Sequence, residues 1–139
     1  MNMEDMPAPS EGFVITQFLV SGDVAKSAEF YTTVLGGKTV MEGGGGSPAI
    51  VKLANTWIII NEGGGPTDDK PDVTLEVRAD PNNVDMFMNF RVADIQACYA
   101  DWTGKGARFI TEPKEHEREW RCYMKDPDGY IIEVGQMKM

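Results

Sequence analysis

The sequence predicts an α+β fold in which two tandem βαβββ modules form a curved mixed sheet with a concave cleft. Strand, Asp-capped helix, glycine exit and three strands occur in that order twice, in residues 13–62 and 86–136. The segment between the modules, residues 63–85, is rich in Gly, Pro and Asp, which is typical of a linker. Each module offers one helix to cover its sheet, so the other face of each sheet is left to line a cleft.

Module one opens with residues 13–20, which are β-rich and mostly apolar and predict a strand. Asp23 or Ser21 can cap the helix over residues 24–35, and Gly36-Gly37 ends it. The helix carries an apolar face of Val24, Ala28, Tyr31 and Leu35. Strands follow at residues 38–42, 49–54 and 57–61. The four glycines 43–46 predict a hairpin loop, because the Gly-Lys-Ser/Thr of a phosphate loop is missing.

Module two repeats this order. A strand is predicted at residues 86–92, a cap at Asp94, a helix over 95–102 and a strand at 107–111. Residues 112–119 form a charged connection, and residues 120–125 and 130–136 form the last hairpin. Its turn, Asp126-Pro127-Asp128-Gly129, combines a fixed proline φ with a glycine that accepts positive φ. In the linker, residues 73–77 allow one short edge strand at most.

At 139 residues the chain is long enough for one domain, which we place at residues 13–139, with residues 1–12 as a flexible tail. Cys98 and Cys122 form no Cys-x-x-Cys motif and are expected to be reduced, as in a cytoplasmic protein. No apolar stretch reaches membrane-spanning length, and the N-terminus has no export-signal pattern.

The formal net charge is −9, from 13 basic and 22 acidic residues. Nucleic acids and anionic membranes require a cationic surface, so neither is expected as a partner. The acidity is compatible with a cationic ligand, although it also serves solubility.

Two motifs carry a family resemblance. They are Val24-Ala25-Lys26-Ser27-Ala28-Glu29-Phe30-Tyr31 with Leu35-Gly36-Gly37, and Asp126-Pro127-Asp128-Gly129-Tyr130-Ile131-Ile132-Glu133. In these motifs and in the repeated module, residues 13–136 resemble the vicinal oxygen chelate superfamily, which includes glyoxalase I, bleomycin-resistance proteins, extradiol dioxygenases and methylmalonyl-CoA epimerase. The resemblance implies the glyoxalase/bleomycin-resistance fold and a homodimer with clefts at or beside its interface.

The resemblance also implies where a catalytic divalent metal would be held, by His, Gln or Glu from strands of both halves. Carried over by position, the last ligand site falls on Glu133, which matches. The other sites fall on Phe87, on Thr16 (or Gln17 after a bulge) and within residues 57–60, which offer almost no donors. No metal site and no cofactor are therefore expected, and the lone His116 is read as a solvated loop residue.

With the metal positions apolar, the cleft becomes an aromatic pocket for a flat organic molecule. Alternation places Phe87, Asn89 and Arg91 on one face, while Met88, Phe90 and Val92 face the helix. The full set of predicted ligand-binding residues is Phe87, Asn89, Arg91, Trp57, Trp120, Tyr123, Gln17 and Glu133. The alternative for Trp57, Trp120 and Phe87 is that they fill the core.

Glu133 is the candidate catalytic residue. Burial would raise its pKa and suit a general base, unless Arg91 or Arg121 reaches it and restores the charged form. Three functions stay open on this sequence. They are a metal-free binding protein for an aromatic or cationic molecule of the bleomycin-resistance type, a metal-dependent lyase, isomerase or dioxygenase, and a metal-free isomerase that uses Glu133 as base.

Overall fold

A computed structural model describes residues 3–139. The chain divides into two compact units, Met1–Arg78 (unit 1) and Ala79–Met139 (unit 2). Each unit consists of a mixed sheet and one helix of the predicted α+β type. Within residues 3–139, every helix falls short of the length and apolarity that a bilayer crossing requires.

Unit 1 has the predicted βαβββ order. Its elements are β1 (Gln17–Val20), α1 (Val24–Glu29) continued by a π-helical turn (Phe30–Val34), β2 (Lys38–Glu42), β3 (Ala49–Leu53) and β4 (Thr56–Asn61). The sheet order is β1-β4-β3-β2, with β1 parallel to β4 and the other pairs antiparallel. The Asp23 carboxylate caps α1 by accepting a hydrogen bond from the Lys26 amide (3.1 Å), as predicted.

The first strand is shorter than residues 13–20. Gln17 is the first residue of β1 and pairs with Ile58 in a parallel register, which sets Ile15 opposite Thr56, the first residue of β4, so that Phe13 and Val14 extend beyond the partner strand. Phe13 and Ile15 are exposed, at 83% and 79%. Local β propensity was therefore not sufficient to extend the strand over residues 13–16.

Unit 2 repeats the topology. Its elements are β5 (Met88–Arg91), α2 (Ile95–Gly104), β6 (Arg108–Phe109), β7 (Lys114–Glu115), β8 (Glu119–Lys125) and β9 (Ile131–Met137). The order is β5-β9-β8-β6, and β7 also pairs with β8. The first strand again lies parallel to the last, and Asp94 caps α2 through the Ala97 amide. Most of the buried core positions of this unit lie on α2, β8 and β9: Ile95, Cys122, Met124, Ile132 and Val134.

Several predicted boundaries were wrong. The strand predicted at 86–92 begins at Met88, and the charged connection 112–119 contains the two-residue strand β7. The segment 73–77 forms no strand and makes one bridge, between Leu75 and Gly64. The strand at 107–111 is reduced to Arg108–Phe109. Short polar segments such as β7 carry no periodic signal, because their pairing depends on a distant strand.

The predicted turn at Asp126 is confirmed in detail. Its carboxylate is fully buried, and Oδ1 accepts hydrogen bonds from the amides of Asp128 (3.0 Å) and Tyr130 (2.9 Å). Gly129 has φ 88°, a conformation that favours glycine. The turn thereby fixes where β9 begins and which of its side chains face the core.

The N-terminal segment contacts the sheet of unit 1. Met3–Asp5 forms a 3-10 turn, and the Asp5 carbonyl accepts a hydrogen bond from the Trp57 indole (2.5 Å). The Asp5 carboxylate pairs with Lys38 at 2.9 Å and approaches Lys52 at 3.8 Å. Asp5 of the predicted tail is thus attached to the sheet, whereas residues 1 and 2 lie outside the described residues.

Candidate functional site

The sheet of unit 2 has one face covered by α2 and one face directed away from it, which we call the open face. The α2 face is marked by Gln136, which accepts a hydrogen bond from the first amide of α2 at Ile95 (2.8 Å), and by Phe90, whose ring packs on Trp102. Side chains alternate between the two faces along a strand, so the odd-numbered residues of β5, β8 and β9 lie on the open face. Asn89, Glu133 and Tyr123 are paired there across β5, β9 and β8, and we call these three the acid row.

Glu133 accepts hydrogen bonds from both neighbours in the acid row. Asn89 Nδ2 donates to Glu133 Oε1 (2.5 Å), and the Tyr123 hydroxyl also bonds to this carboxylate. The bond to Glu133, with burial, raises the pKa of the Tyr123 phenol, so the phenol remains a donor. The Glu133 side chain is only 12% exposed. It is therefore a sheltered acceptor whose nearest donors are neutral groups.

A second row crosses the same face two residues further along β9. Arg91 on β5 pairs with Gly135 on β9, which pairs with Arg121 on β8, and Arg121 pairs with Lys114 on β7. We call Arg91, Arg121 and Lys114 the cation row. All three members are basic side chains, whereas Gly135 leaves the β9 position of the row without a side chain.

Glu119 joins the two arginines of the cation row. Its Oε1 accepts from Arg91 Nη2 (2.8 Å) and its Oε2 accepts from Arg121 Nη1 (3.3 Å). The Arg91 hydrogen bond, with the charges of both arginines, lowers the pKa of Glu119. Arg91 also approaches Glu133 Oε1, at 3.9 Å. The sequence left open whether an arginine forms an ion pair with Glu133. Arg91 forms one at 3.9 Å, which is too long for a hydrogen bond.

Phe87 precedes β5 and is 46% exposed. Its ring lies 6.4 Å from the Tyr123 ring in an edge arrangement, so it borders the acid row as its parity predicted. An aromatic pair thus stands beside the Glu133 carboxylate. Apolar surface next to a sheltered acceptor is what binding of a polar aromatic molecule requires.

Two of the predicted binding residues, Trp120 and Gln17, lie on helix-covered faces. Trp120 pairs with Gln136, and both alternate in step with the buried Cys122, so Trp120 lies on the α2 face. Gln17 pairs with the fully buried Ile58 on the face of unit 1 that α1 covers. This differs from their predicted placement in the cleft. Trp120 was assigned by residue type without regard to strand alternation, and the bulge that Gln17 required is missing from the described pairing of β1 with β4.

Unit 1 has a row at the positions that correspond to the acid row. When β1 is matched to β5 and β4 to β9 by register, Phe18 corresponds to Asn89, Ile59 corresponds to Glu133 and Ile50 corresponds to Tyr123. We call Phe18, Ile59 and Ile50 the apolar row. None of its members can ligate a metal or accept a proton. Trp57, another predicted binding residue, lies one row away, next to Lys52 and bonded to Asp5.

The groups around Glu133 do not fit a divalent metal. Among residues 3–139, no three His, Cys, Asp or Glu side chains lie close enough together to hold an ion. The neighbours of Glu133 are an amide N–H, a phenol and a guanidinium, and the positive Arg91 would repel a second cation. His116 is exposed between β7 and β8, and its backbone amide bonds to the Glu119 carbonyl.

Sequence reasoning missed Glu119 and Phe18, whereas Ile59 lies within the span 57–60 that it named. Glu119 was assigned to the connection before β8. It is the first residue of β8 and lies on the same face as Arg121 and Tyr123, so extending the strand by one residue towards the N-terminus would have found it. Phe18 was missed because counting back from Asp23 led to Thr16 or Gln17, whereas the β1 residue that pairs with Ile59 is Phe18.

Comparison with known proteins identifies related folds. The sequence profile of the Glyoxalase/Bleomycin resistance protein/Dioxygenase superfamily matches residues 14–134. A search of curated proteins finds no match. Among solved structures, TnmS3, an antibiotic binding protein from Streptomyces sp. CB03234, is 19% identical with a TM-score of 0.64 and covers 94% of this chain and 100% of its own.

Two further structures are glyoxalase/bleomycin resistance protein/dioxygenase proteins. The one from Alicyclobacillus acidocaldarius is 13% identical, has a TM-score of 0.71 and covers 96% of each chain. The domain from Frankia sp. EAN1pec is 21% identical, has a TM-score of 0.67 and covers 93% of this chain and 94% of its own. At these identities the similarity establishes the fold.

Proposed function

Because the chain belongs to the Glyoxalase/Bleomycin resistance protein/Dioxygenase superfamily, we propose that it binds a small organic molecule with an aromatic part, without a metal ion. The binding surface is the open face of unit 2, where Glu133 and Asn89 supply polar contacts and Phe87 and Tyr123 supply aromatic ones. The biological outcome would be sequestration of a compound such as an antibiotic.

The contrast between the acid row and the apolar row carries this proposal. A catalytic metal of the kind the family resemblance implies takes donors from strands of both halves. In unit 1 the corresponding positions are Phe18, Ile59 and Ile50, which have no ligating atoms. In unit 2 Glu133 is already engaged by hydrogen-bond donors. An incomplete ligand set next to aromatic side chains favours binding over metal-assisted chemistry.

The similarity to TnmS3 adds support, because that protein is an antibiotic binding protein of the same fold. At 19% identity the shared fold does not transfer a ligand. The ligand class is therefore argued from this chain alone. Glu133 accepts N–H or O–H donors, including cationic ones, and the Phe87–Tyr123 pair offers apolar contact to a ring.

The test is calorimetric titration with a panel of aromatic antibiotics against the wild type, Glu133→Gln and Glu115→Gln. Glu115 is a matched control, because it lies on β7 of the same sheet but pairs with Trp120, on the other face. We expect binding below millimolar that weakens about tenfold in Glu133→Gln, in line with a charge-assisted hydrogen bond. Equal loss in both variants, or no binding by any compound, would reject the proposal.

A second candidate rests on the bond between Tyr123 and Glu133. Glu133 would remove a proton beside a ligand carbonyl, and the protonated Tyr123 phenol would donate a hydrogen bond to the oxygen that gains charge. Incubation of a bound ligand in D2O distinguishes this function from simple binding. Deuterium at the carbon next to the carbonyl, absent in Glu133→Gln, would establish it, and recovery of unlabelled ligand would exclude it.

A further inference from the structure

We propose that the cation row binds an anionic oxygen group, such as a carboxylate, on the aromatic ligand. The inference rests on the proposed function and narrows its ligand to aromatic acids. It concerns Arg91 and Arg121 chiefly, with Lys114 at the end of the row.

The cation row places like charges side by side, because Arg121 and Lys114 are direct cross-strand partners. Acids compensate part of this charge. Lys114 pairs with Glu112 at 2.8 Å, whereas Arg91 and Arg121 share the single carboxylate of Glu119. The positive charge that is left for a ligand therefore lies on the two arginines.

The arginines keep donors free for a ligand. A guanidinium has five N–H groups. Within residues 3–139, Arg91 donates one hydrogen bond to Glu119 and otherwise only approaches Glu133, and Arg121 donates one to Glu119. Their side chains are 43% and 33% exposed, so solvent and ligands can reach the remaining N–H groups. Two partly used guanidinium groups converging on one carboxylate form a site that suits a second one.

Gly135 positions the Arg91 guanidinium. A Cβ at Gly135 would collide with Nη1 and Cζ of Arg91 and would lie 3.0 Å from Glu119 Oε1. The guanidinium therefore lies over the β9 backbone, in the space that any other residue at position 135 would fill.

The two rows together specify an asymmetric ligand. Glu133 repels an anion but accepts a donor, whereas the cation row attracts an anion. The rows are two residues apart on β9, or about 7 Å at the rise of a strand. The ligand that fits is an aromatic acid whose ring contacts Phe87 and Tyr123 and whose carboxylate lies over Arg91 and Arg121.

A matched pair of probes tests this inference. 2-Naphthoate and 2-naphthamide have the same ring system, and only the first is an anion at neutral pH. We expect naphthoate to bind the wild type at least tenfold more tightly by calorimetry, and this preference to fall as salt is raised. Arg121→Gln and Arg91→Gln should abolish the preference, and Arg121→Lys should retain part of it. Lys105→Gln removes the same charge from the residue that follows α2, where Lys105 pairs with Asp101, and should leave the preference intact.

Several outcomes would overturn the inference and each is distinguishable from failure of the proposed function. Equal affinity for both probes, or an unchanged preference in Arg121→Gln with a native circular dichroism spectrum, would remove the cation row as the anion site while aromatic binding stands. If inorganic phosphate displaced naphthoate at concentrations similar to those at which naphthoate binds, the cation row would be a site for free anions rather than for aromatic acids. Binding of neither probe would reject aromatic acids, and the antibiotic panel separately decides whether the protein binds aromatic molecules at all.

Discussion

Glu119 holds the two arginines of the cation row together, and its charge should appear in the pH dependence of stability. Hydrogen bonding to Arg91 lowers the pKa of Glu119 below its ordinary value of 4.5. A carboxyl group whose pKa is lower in the folded state adds stability above its unfolded pKa, and this stability is lost as pH falls through the folded pKa.

We predict that Glu119→Gln is less stable than the wild type at about pH 6, and that the difference shrinks as pH falls below 4.5. Urea unfolding at a series of pH values measures the free energy of unfolding of both proteins. Glu62→Gln is a suitable control, since it removes the same charge from an exposed residue. A difference that grows towards low pH would contradict the assignment.

The Arg91 guanidinium occupies the space in which a side chain at position 135 would lie. Gly135→Ala should lower the free energy of unfolding by about 1–3 kcal/mol, because the new methyl group must displace the Arg91 guanidinium and strain its bond to Glu119. The same variant should weaken naphthoate more than naphthamide. Gly104→Ala at the end of α2 is the control, since a Cβ there meets nothing within 4 Å. Equal stability of Gly135→Ala and wild type would contradict the packing described.

At the scale of elements, the turn at Asp126 connects the last two strands. The Asp126 carboxylate accepts two backbone N–H groups and is fully buried, so its removal leaves those donors without their acceptor. We predict that Asp126→Ala lowers the free energy of unfolding by about 2–4 kcal/mol, from about 1–2 kcal/mol for each lost bond.

Asp126→Asn keeps an oxygen that can accept both bonds, and should recover more than half of that loss. Chemical denaturation of the three proteins in parallel gives the comparison. If Asp126→Asn were as unstable as Asp126→Ala, the carboxylate would act through its charge rather than through the two turn hydrogen bonds.

Helix starts were predictable from the sequence to the residue. Asp23 and Asp94 each cap a helix that begins at the next position, because the signal is local: a short acid accepts an amide three residues later. The start of β1 was not predictable in this way. Residues 13–16 have the composition of a strand, but pairing with β4 begins only at Gln17. Strand ends depend on a neighbour that local sequence does not encode.

At the scale of the whole molecule, we predict that divalent metals do not stabilise the protein. Among the described residues 3–139, Glu133 belongs to no group of three His, Cys, Asp or Glu side chains, so Zn²⁺, Ni²⁺, Mn²⁺ or Fe²⁺ should leave the Tm unchanged within replicate error. Elemental analysis of protein purified without chelator should find no stoichiometric transition metal. A metal that raises Tm, and does so less in Glu133→Ala, would restore the metal-dependent lyase, isomerase or dioxygenase as the function.

The family resemblance further predicts a homodimer. Sedimentation velocity at several protein concentrations should give the mass of two chains of 15.4 kDa. A concentration-independent monomer would contradict this prediction without affecting the open face of unit 2, whose rows belong to one chain.

The sequence by itself determined the repeated module, both helix caps, the Asp126 turn and Glu133 as the one good match to a family site, because each is signalled by residues close together in the chain. Only the tertiary structure decided which side chains stand in one row. The pairing of β5, β9 and β8 brings Asn89, Glu133 and Tyr123 together and places Trp120 on the other face. Register is set by contacts between distant strands, and a shift of one residue exchanges the two faces of a sheet.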